Sequence, residues 1–295
     1  MVFLMKSKTH KNDLGFFEIS QKPTQIELEQ YYEKKYYQEG LGSYEINYSE
    51  TELAYIHNKI FQKEYILKNL LELRSKKFLD IGCGEGFVMN HFHKLGCKVK
   101  GFDFSAEGIK KNNPNILNFF VQGNIFTLLD EEISKKNKYD IVWLQNVLEH
   151  VLDPVALMNS IRNIISDSGY LVVTVPNDFS KIQEHLLSFN KVDKPYWVSP
   201  PDHLSYFNIE NIKNLFNITN WEIADLSGDF PIEWYLLNEN SNYILDSSMG
   251  KSAHNARMII ENLISENDAE LVRNLWASLA GLGMTRNITT FLKKV

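Results

Sequence analysis

The spacing of apolar residues changes near residue 75. From 51 to 74, Leu53, Ile56, Ile60, Leu67, Leu70 and Leu71 recur at mixed three- and four-residue intervals. That spacing predicts a helix that packs one face on a larger body and ends near Arg74 and Ser75. Beyond it, Phe78–Ile81, Val99–Phe102, Phe119–Val121, Ile141–Leu144 and Leu171–Val175 have strand length and strand composition. Helical faces lie between these runs. One is marked by Val88, Phe92 and Leu95, another by Met158, Ile161 and Ile165, with Asp153 and Pro154 as N-cap and first helical residue. Strands and helices in alternation predict an α/β protein whose parallel sheet is covered on both faces.

The flanks read differently. Residues 1–50 are polar and tyrosine-rich, with Tyr31, Tyr32, Tyr36 and Tyr37 around Glu33–Lys35, then Tyr44 and Tyr48. They read as an amphipathic helix plus an ordered arm. After residue 176, Lys181–His203 is a long segment carrying Pro195, Tyr196, Trp197, Pro200 and Pro201, and loops of that length are usually functional. A helix with Ile212, Leu215 and Phe216 follows, then a sixth strand at Trp221–Leu226, two or three helices over 232–281, and a last strand at Ile288–Leu292. No internal repeat is present.

Composition narrows the function classes. Hydrophobic residues make up 44% and charged residues 23% of the 295, which is globular rather than disordered. The net charge of −6 and the absence of long basic runs argue against binding a nucleic-acid backbone. Cys83 and Cys97 alone form neither a disulfide framework nor a four-ligand zinc site, so no metal and a reducing, cytoplasmic setting are expected. The apolar run Met1–Met5 is shorter than a signal-peptide core, and no stretch of ~18 apolar residues predicts a membrane span.

The candidate chemistry begins at Phe78–Gly86, a buried strand entering a Gly-x-Gly-x-Gly turn and then a helix. Glycines there permit positive φ and close approach of a ligand to the main chain. A dinucleotide turn needs a third glycine where this chain has Phe87, so NAD is disfavoured. Asp103 follows the second strand, where a carboxylate can accept both hydroxyls of a ribose.

Leu79–Gly86, Asp103–Ser105, Gly123–Ile125 and Leu148–Val151 resemble the successive motifs of class I S-adenosylmethionine-dependent methyltransferases. Gly283–Ile288 resembles the closing hairpin of that fold. The resemblance implies a Rossmann-like sheet of seven strands, mostly parallel with the last antiparallel, plus an N-terminal helical arm and a helical insertion before the last strand. The expected division is an arm over 1–74, a cofactor-binding core over 75–230, an insertion over 231–285 and a closing strand over 286–295. S-adenosylmethionine is the implied cofactor, and S-adenosylhomocysteine its product. Gly82 and Gly84 would line its methionine part, Asp103 its ribose, and Asn124 with Ile125 its adenine. Asp80, Phe104 and Gln145 would complete the set. Asn124 stands where the family often has Asp.

His150 follows the fourth strand, over the carboxyl ends where open α/β sheets bind ligands. A neutral imidazole suits deprotonation of an attacking hydroxyl, and in similar small-molecule methyltransferases this Glu-His histidine is a frequent base candidate. The alternative is a loop histidine capping local backbone. Glu149 reads as structural. His203, in a His-x-x-x-Phe pattern also met in that family, is a second base or a loop anchor. Tyr196 and Trp197 offer apolar faces to an acceptor or form the loop's own small core. Arg257, with His254, is a candidate to meet an anionic substrate group, the alternative being a solvated helix face. The overall plan resembles methyltransferases of bacterial surface-polysaccharide pathways, so the expected acceptor is a small molecule, a sugar or nucleotide-linked sugar methylated on oxygen. N-methylation of an amino sugar and a non-catalytic cofactor-binding subunit are the alternatives. No nucleic-acid partner is expected, and a homodimer stays open.

Overall fold

The computed structural model describes residues 9–28, 30–31 and 47–295. Tyr32, Tyr36, Tyr37, Tyr44 and the Met1–Met5 run lie outside the described residues.

All seven strands expected from the apolar runs form one sheet. In chain order they are β3 (Lys77–Ile81), β4 (Lys98–Asp103), β5 (Phe120–Gln122), β6 (Tyr139–Gln145), β7 (Ile165–Pro176), β9 (Trp221–Gly228) and β10 (Asn287–Lys294). Across the sheet the order is β5-β4-β3-β6-β7-β10-β9. The first five of these run parallel, and β10 is antiparallel to both β7 and β9. The chain leaves β3 to one side for β4 and returns to the other side for β6, so a crevice opens at the carboxyl ends of β3 and β6.

Alternation along each strand fills two cores. Leu79, Ile81, Val142, Leu144, Leu171 and Val173 point to one face, where α4 (Ile125–Ser134), α5 (Pro154–Ile164) and α7 (Ile212–Ile218) pack. Phe78, Ile141, Trp143, Val172 and Phe291 point to the other, against α1 (Glu50–Leu70), α2 (Phe87–Lys94) and α3 (Glu107–Asn112). Each such fully buried side chain contributes roughly 1.5–3 kcal/mol over its exposed state. Local signals set the helix starts. Ser49 and Glu52 form a reciprocal capping box on α1, and Asp153 caps α5 with Pro154 at its first position.

Two expectations about the flanks are corrected. The N-terminal region is not only helix and arm: β1 (Thr9–Lys11) and β2 (Phe17–Ile19) pair antiparallel, and β8 (Ser205–Tyr206) joins β2. Strands of two or three residues leave too short an alternation to read. Their stability comes from Ile19, Leu28, Trp197, Leu204 and Tyr206, which share a small core. The 181–203 segment is likewise not all loop, since α6 (Lys181–Ser188) opens it behind a Ser180–Gln183 capping box. Helices α8 (Gly250–Ser265) and α9 (Ala269–Gly281) form the hairpin before β10, with Trp276 and Val272 packed on Phe230. No described helix is long and apolar enough to cross a membrane.

Candidate active site

The glycine turn after β3 is held from several sides. Gly82, Gly84 and Gly86 all have positive φ, and the amides of Gly82 and Cys83 both donate to the Phe102 carbonyl on β4. A Cβ built on Gly82 would lie 2.4 Å from a methyl of Val147, so this position needs glycine for space as well as for φ. Tyr48 Oη and Asn112 Nδ2 donate to the Glu85 carboxylate, and Asn113 Nδ2 donates to its carbonyl.

Asp103 closes the turn from β4. Its Oδ2 accepts from Gly84 N at 2.8 Å and its Oδ1 from Ser105 N at 3.0 Å. Burial pushes the carboxyl up while these amides pull it down. The Phe104 amide bonds the carboxylate as well, which leaves one lone pair of the four for a ribose hydroxyl.

One pocket joins this turn to His150. It is lined by Gly82, Gly84, Asp103, Phe104, Asn124, Ile125 and His150, together with Asn146 and Val147. The sequence had singled out the first seven. Asn124 Oδ1 is also the N-cap of α4, accepting from Phe126 N and Thr127 N. The pocket fits the implied cofactor, with glycines where backbone must come close and a half-buried carboxylate at the end of the neighbouring strand, bonded to the turn itself.

Asp80 and Gln145 sit outside that lining. Asp80 is buried beneath the turn, and burial together with neighbouring Asp103 pushes its carboxyl up to about 8. Gln145 ends β6 and its Oε1 accepts from Lys63 Nζ at 2.6 Å. Lys63 comes from α1, is buried, and is pushed down to about 7 by burial and by neighbouring Lys59.

His150 ends a 3₁₀ turn, Leu148–His150. Its Nδ1 lies 2.6 Å from the carbonyl oxygen of Asp202. A carbonyl only accepts, so the proton sits on Nδ1 and the neutral ring keeps its lone pair on Nε2. Glu149 Oε1 is 3.8 Å from that Nε2. Burial pushes the Glu149 carboxyl up to about 8, with Asp178 and Asp202 adding to the effect. The His203 ring stands edge-on to His150 with centroids 4.8 Å apart, and its Nδ1 is 3.9 Å from Asp178 Oδ2. Glu149, His150 and His203 each offer a ligand atom, all within 4.8 Å of one another, a donor set that fits a divalent cation.

The acceptor candidates are placed apart from the pocket lining. Trp197 is 3% exposed in the small core around Tyr206, edge-on to Phe179. Tyr196 packs with Leu186, Val192 and Leu236, and its hydroxyl is buried. Arg257 on α8 lies over the Tyr55 ring, and its Nη2 is 2.8 Å from His254 Nδ1.

Besides Asn146 and Val147, sequence reasoning missed two lining residues from the N-terminal segment and a buried lysine beside Gln145. Gln25 and Leu28 line the pocket from the N-terminal segment, and nothing local to that segment marks them. Lys63 did leave a signal, a lysine between Ile60 and Leu67 on the buried face of an amphipathic helix.

Residues 55–226 match the family described as "Methyltransferase domain". Among curated proteins, the Ubiquinone biosynthesis O-methyltransferase of Glaesserella parasuis serovar 5 (strain SH0165) is 31% identical over 125 residues, 40% of this chain and 52% of that protein. The protein of the same name from Aliivibrio fischeri (strain MJ11) is 29% identical over 195 residues, 63% of this chain and 82% of that one. The chain spans about half the length of the first relatives it matches. A SAM dependent methyltransferase from Archaeoglobus fulgidus superposes with a TM-score of 0.47 at 18% identity, covering 90% of this chain and 99% of that one. With its matched span covering the glycine turn, Asp103 and the Glu149-His150 pair, the chain belongs to the methyltransferase-domain family, in its class I form whose cofactor is S-adenosylmethionine.

Proposed function

We propose that the protein methylates a hydroxyl oxygen of a small polar acceptor, with His150 as the base. Bound S-adenosylmethionine supplies an electrophilic methyl group on a sulfonium. Gly82 and Gly84 let the cofactor approach the main chain, Asp103 takes its ribose, and Asn124 and Ile125 border its adenine. Lys63 supplies a buried ammonium near Gln145, at the β6 end of the crevice, for the cofactor's carboxylate. The observation that carries the reading is the fixed tautomer of His150, whose lone pair on Nε2 belongs to a side chain that lines the cofactor pocket. A hydroxyl must shed its proton to attack, and a positioned imidazole contributes ~10²–10⁴-fold to such a step. His203, edge-on to His150 and backed by Asp178, is second in line.

The relatives named for O-methyl transfer in ubiquinone biosynthesis support oxygen as the accepting atom. The resemblance to surface-polysaccharide methyltransferases supports a sugar or nucleotide-linked sugar as its carrier. Incubation with S-adenosylmethionine and a panel of small hydroxylated acceptors, followed by mass spectrometry, tests the reading. The expected result is the mass gain of one methyl group on an oxygen. Cofactor binding without methyl gain on any acceptor would favour the non-catalytic subunit.

A further inference from the structure

Three buried polar atoms with no hydrogen-bond partner come from three separate parts of the chain: Glu149 Oε2, Tyr196 Oη and Glu233 Oε2. All three side chains interact electrostatically with one guanidinium, that of Arg286. Buried polar atoms are ordinarily bonded, so a group of orphans around one residue marks a place made for something else.

Arg286 is itself half satisfied. Its Nη1 donates to Asp178 Oδ1 at 2.9 Å and to Glu233 Oε1 at 3.2 Å. Both bonds use the same nitrogen, which leaves Nε and Nη2 to donate elsewhere, and the side chain keeps 22% of its surface exposed. Asp178 Oδ2 is the atom 3.9 Å from His203 Nδ1, so a chain of contacts leads from the histidine pair through Asp178 to Arg286 and Glu233.

The donor and acceptor inventory selects a ligand. A carboxylate or phosphate would satisfy the free guanidinium edge but would meet Asp178 and Glu233 with like charge. An ammonium would satisfy Glu233 and be repelled by Arg286. A hydroxyl accepts from a guanidinium and donates to a carboxylate at once, so one hydroxyl can donate to Glu233 Oε2 while its two lone pairs accept from Arg286 and Tyr196 Oη.

We propose that Arg286, Glu233 and Tyr196 hold the second hydroxyl of a vicinal diol whose first hydroxyl His150 deprotonates. The inference rests on the methyl-transfer reading above and names its acceptor class. The diol chemistry is shared by catechols and by sugar rings. Glu233 opens the segment after β9 and Tyr196 lies between the prolines of the 195–201 stretch, so two insertions to the sheet supply the specificity.

Turnover with S-adenosylmethionine is measured on two probe sets, catechol against phenol and UDP-hexoses against their deoxy analogues. A diol from one set is methylated, and its mono-hydroxyl analogue shows a KM at least about tenfold higher, the loss expected for one charge-assisted hydrogen bond. Glu233→Gln and Tyr196→Phe each raise the diol KM by a similar factor, leave kcat within about threefold, and do not change the KM of the mono-hydroxyl analogue. Binding of S-adenosylhomocysteine by calorimetry stays unchanged in both variants, which shows that they fold. Equal methylation of phenol or deoxy probes, an amine preferred to every diol, or a diol KM unmoved in both variants overturns the subsite while methyl transfer stands. Failure to bind S-adenosylhomocysteine at all overturns the methyl-transfer reading itself.

Discussion

The Nδ1 atom of His150 lies 2.6 Å from the main-chain oxygen of Asp202, 52 residues further on. The loop after α6 therefore decides which nitrogen of the histidine carries a proton. Because the partner is main chain, substitution of the Asp202 side chain leaves this restraint in place, and the lone pair stays on Nε2.

His150→Ala should then lower turnover by ~10²–10⁴-fold while leaving affinity for S-adenosylhomocysteine nearly intact. Steady-state rates and calorimetry on the same preparation check both halves. Turnover that persists in His150→Ala and in His203→Ala would make the histidines structural and an amine the better acceptor.

The sheet was legible because its strands are buried on both faces and read as unbroken apolar runs, as in Phe78–Ile81 and Leu171–Val175. The glycine turn and its link to Asp103 were legible because glycine at Gly82 and an acceptor at Asp103 are demanded by local geometry. The acceptor side was not. Arg286 and Glu233 stand 53 residues apart and meet only through tertiary packing, and Arg286 looks in sequence like any residue at the edge of a strand. Tyr196 and Trp197 carried an aromatic signal that did not say which way each ring faces, and Trp197 turns into the core.

Asp103 holds Gly84 and Ser105 through their amides while keeping a lone pair for a ligand. Asp103→Asn keeps one oxygen for the turn amides, sets an Nδ2 donor against the other amide and loses the charge. Affinity for S-adenosylhomocysteine should fall by about tenfold or more, since hydrogen bonds to a charged group contribute ~1.5–3 kcal/mol. Unchanged affinity in a folded variant would remove Asp103 from the ribose site.

The role proposed for Lys63 makes the two ends of the cofactor separable by experiment. Its amine is buried against Gln145 and the Trp143 ring, and burial together with neighbouring Lys59 disfavours its charge. A carboxylate from the cofactor restores a partner, so Lys63→Met should weaken S-adenosylhomocysteine by about tenfold or more. 5′-Methylthioadenosine has no carboxylate, and its affinity should be the same in both proteins. Equal losses for the two ligands would mean that the substitution disturbs the pocket rather than the charge pair.

Glu149, His150 and His203 also make a test of metal dependence necessary. With His150 as the base, turnover should survive prolonged treatment with EDTA, because the imidazole accepts the proton without help. Loss of activity on chelation, restored by Mn²⁺ or Zn²⁺, would move deprotonation from the imidazole to a metal-held hydroxyl.

Glu149 gives stability its own pH dependence. Its carboxyl holds a proton up to about pH 8 in the folded chain, against an ordinary value of 4.5. Between those values the folded state binds more protons than the unfolded state, so raising the pH costs stability, on the order of 1.4 kcal/mol per unit. Glu149→Gln keeps the neutral shape of the protonated acid and cannot ionise. In urea denaturation at pH 5 the two proteins should have similar midpoints, and by pH 8 the variant should be the more stable. A gap that stays constant across that range would show that Glu149 is charged in the folded protein, and that some buried cation or ligand offsets it.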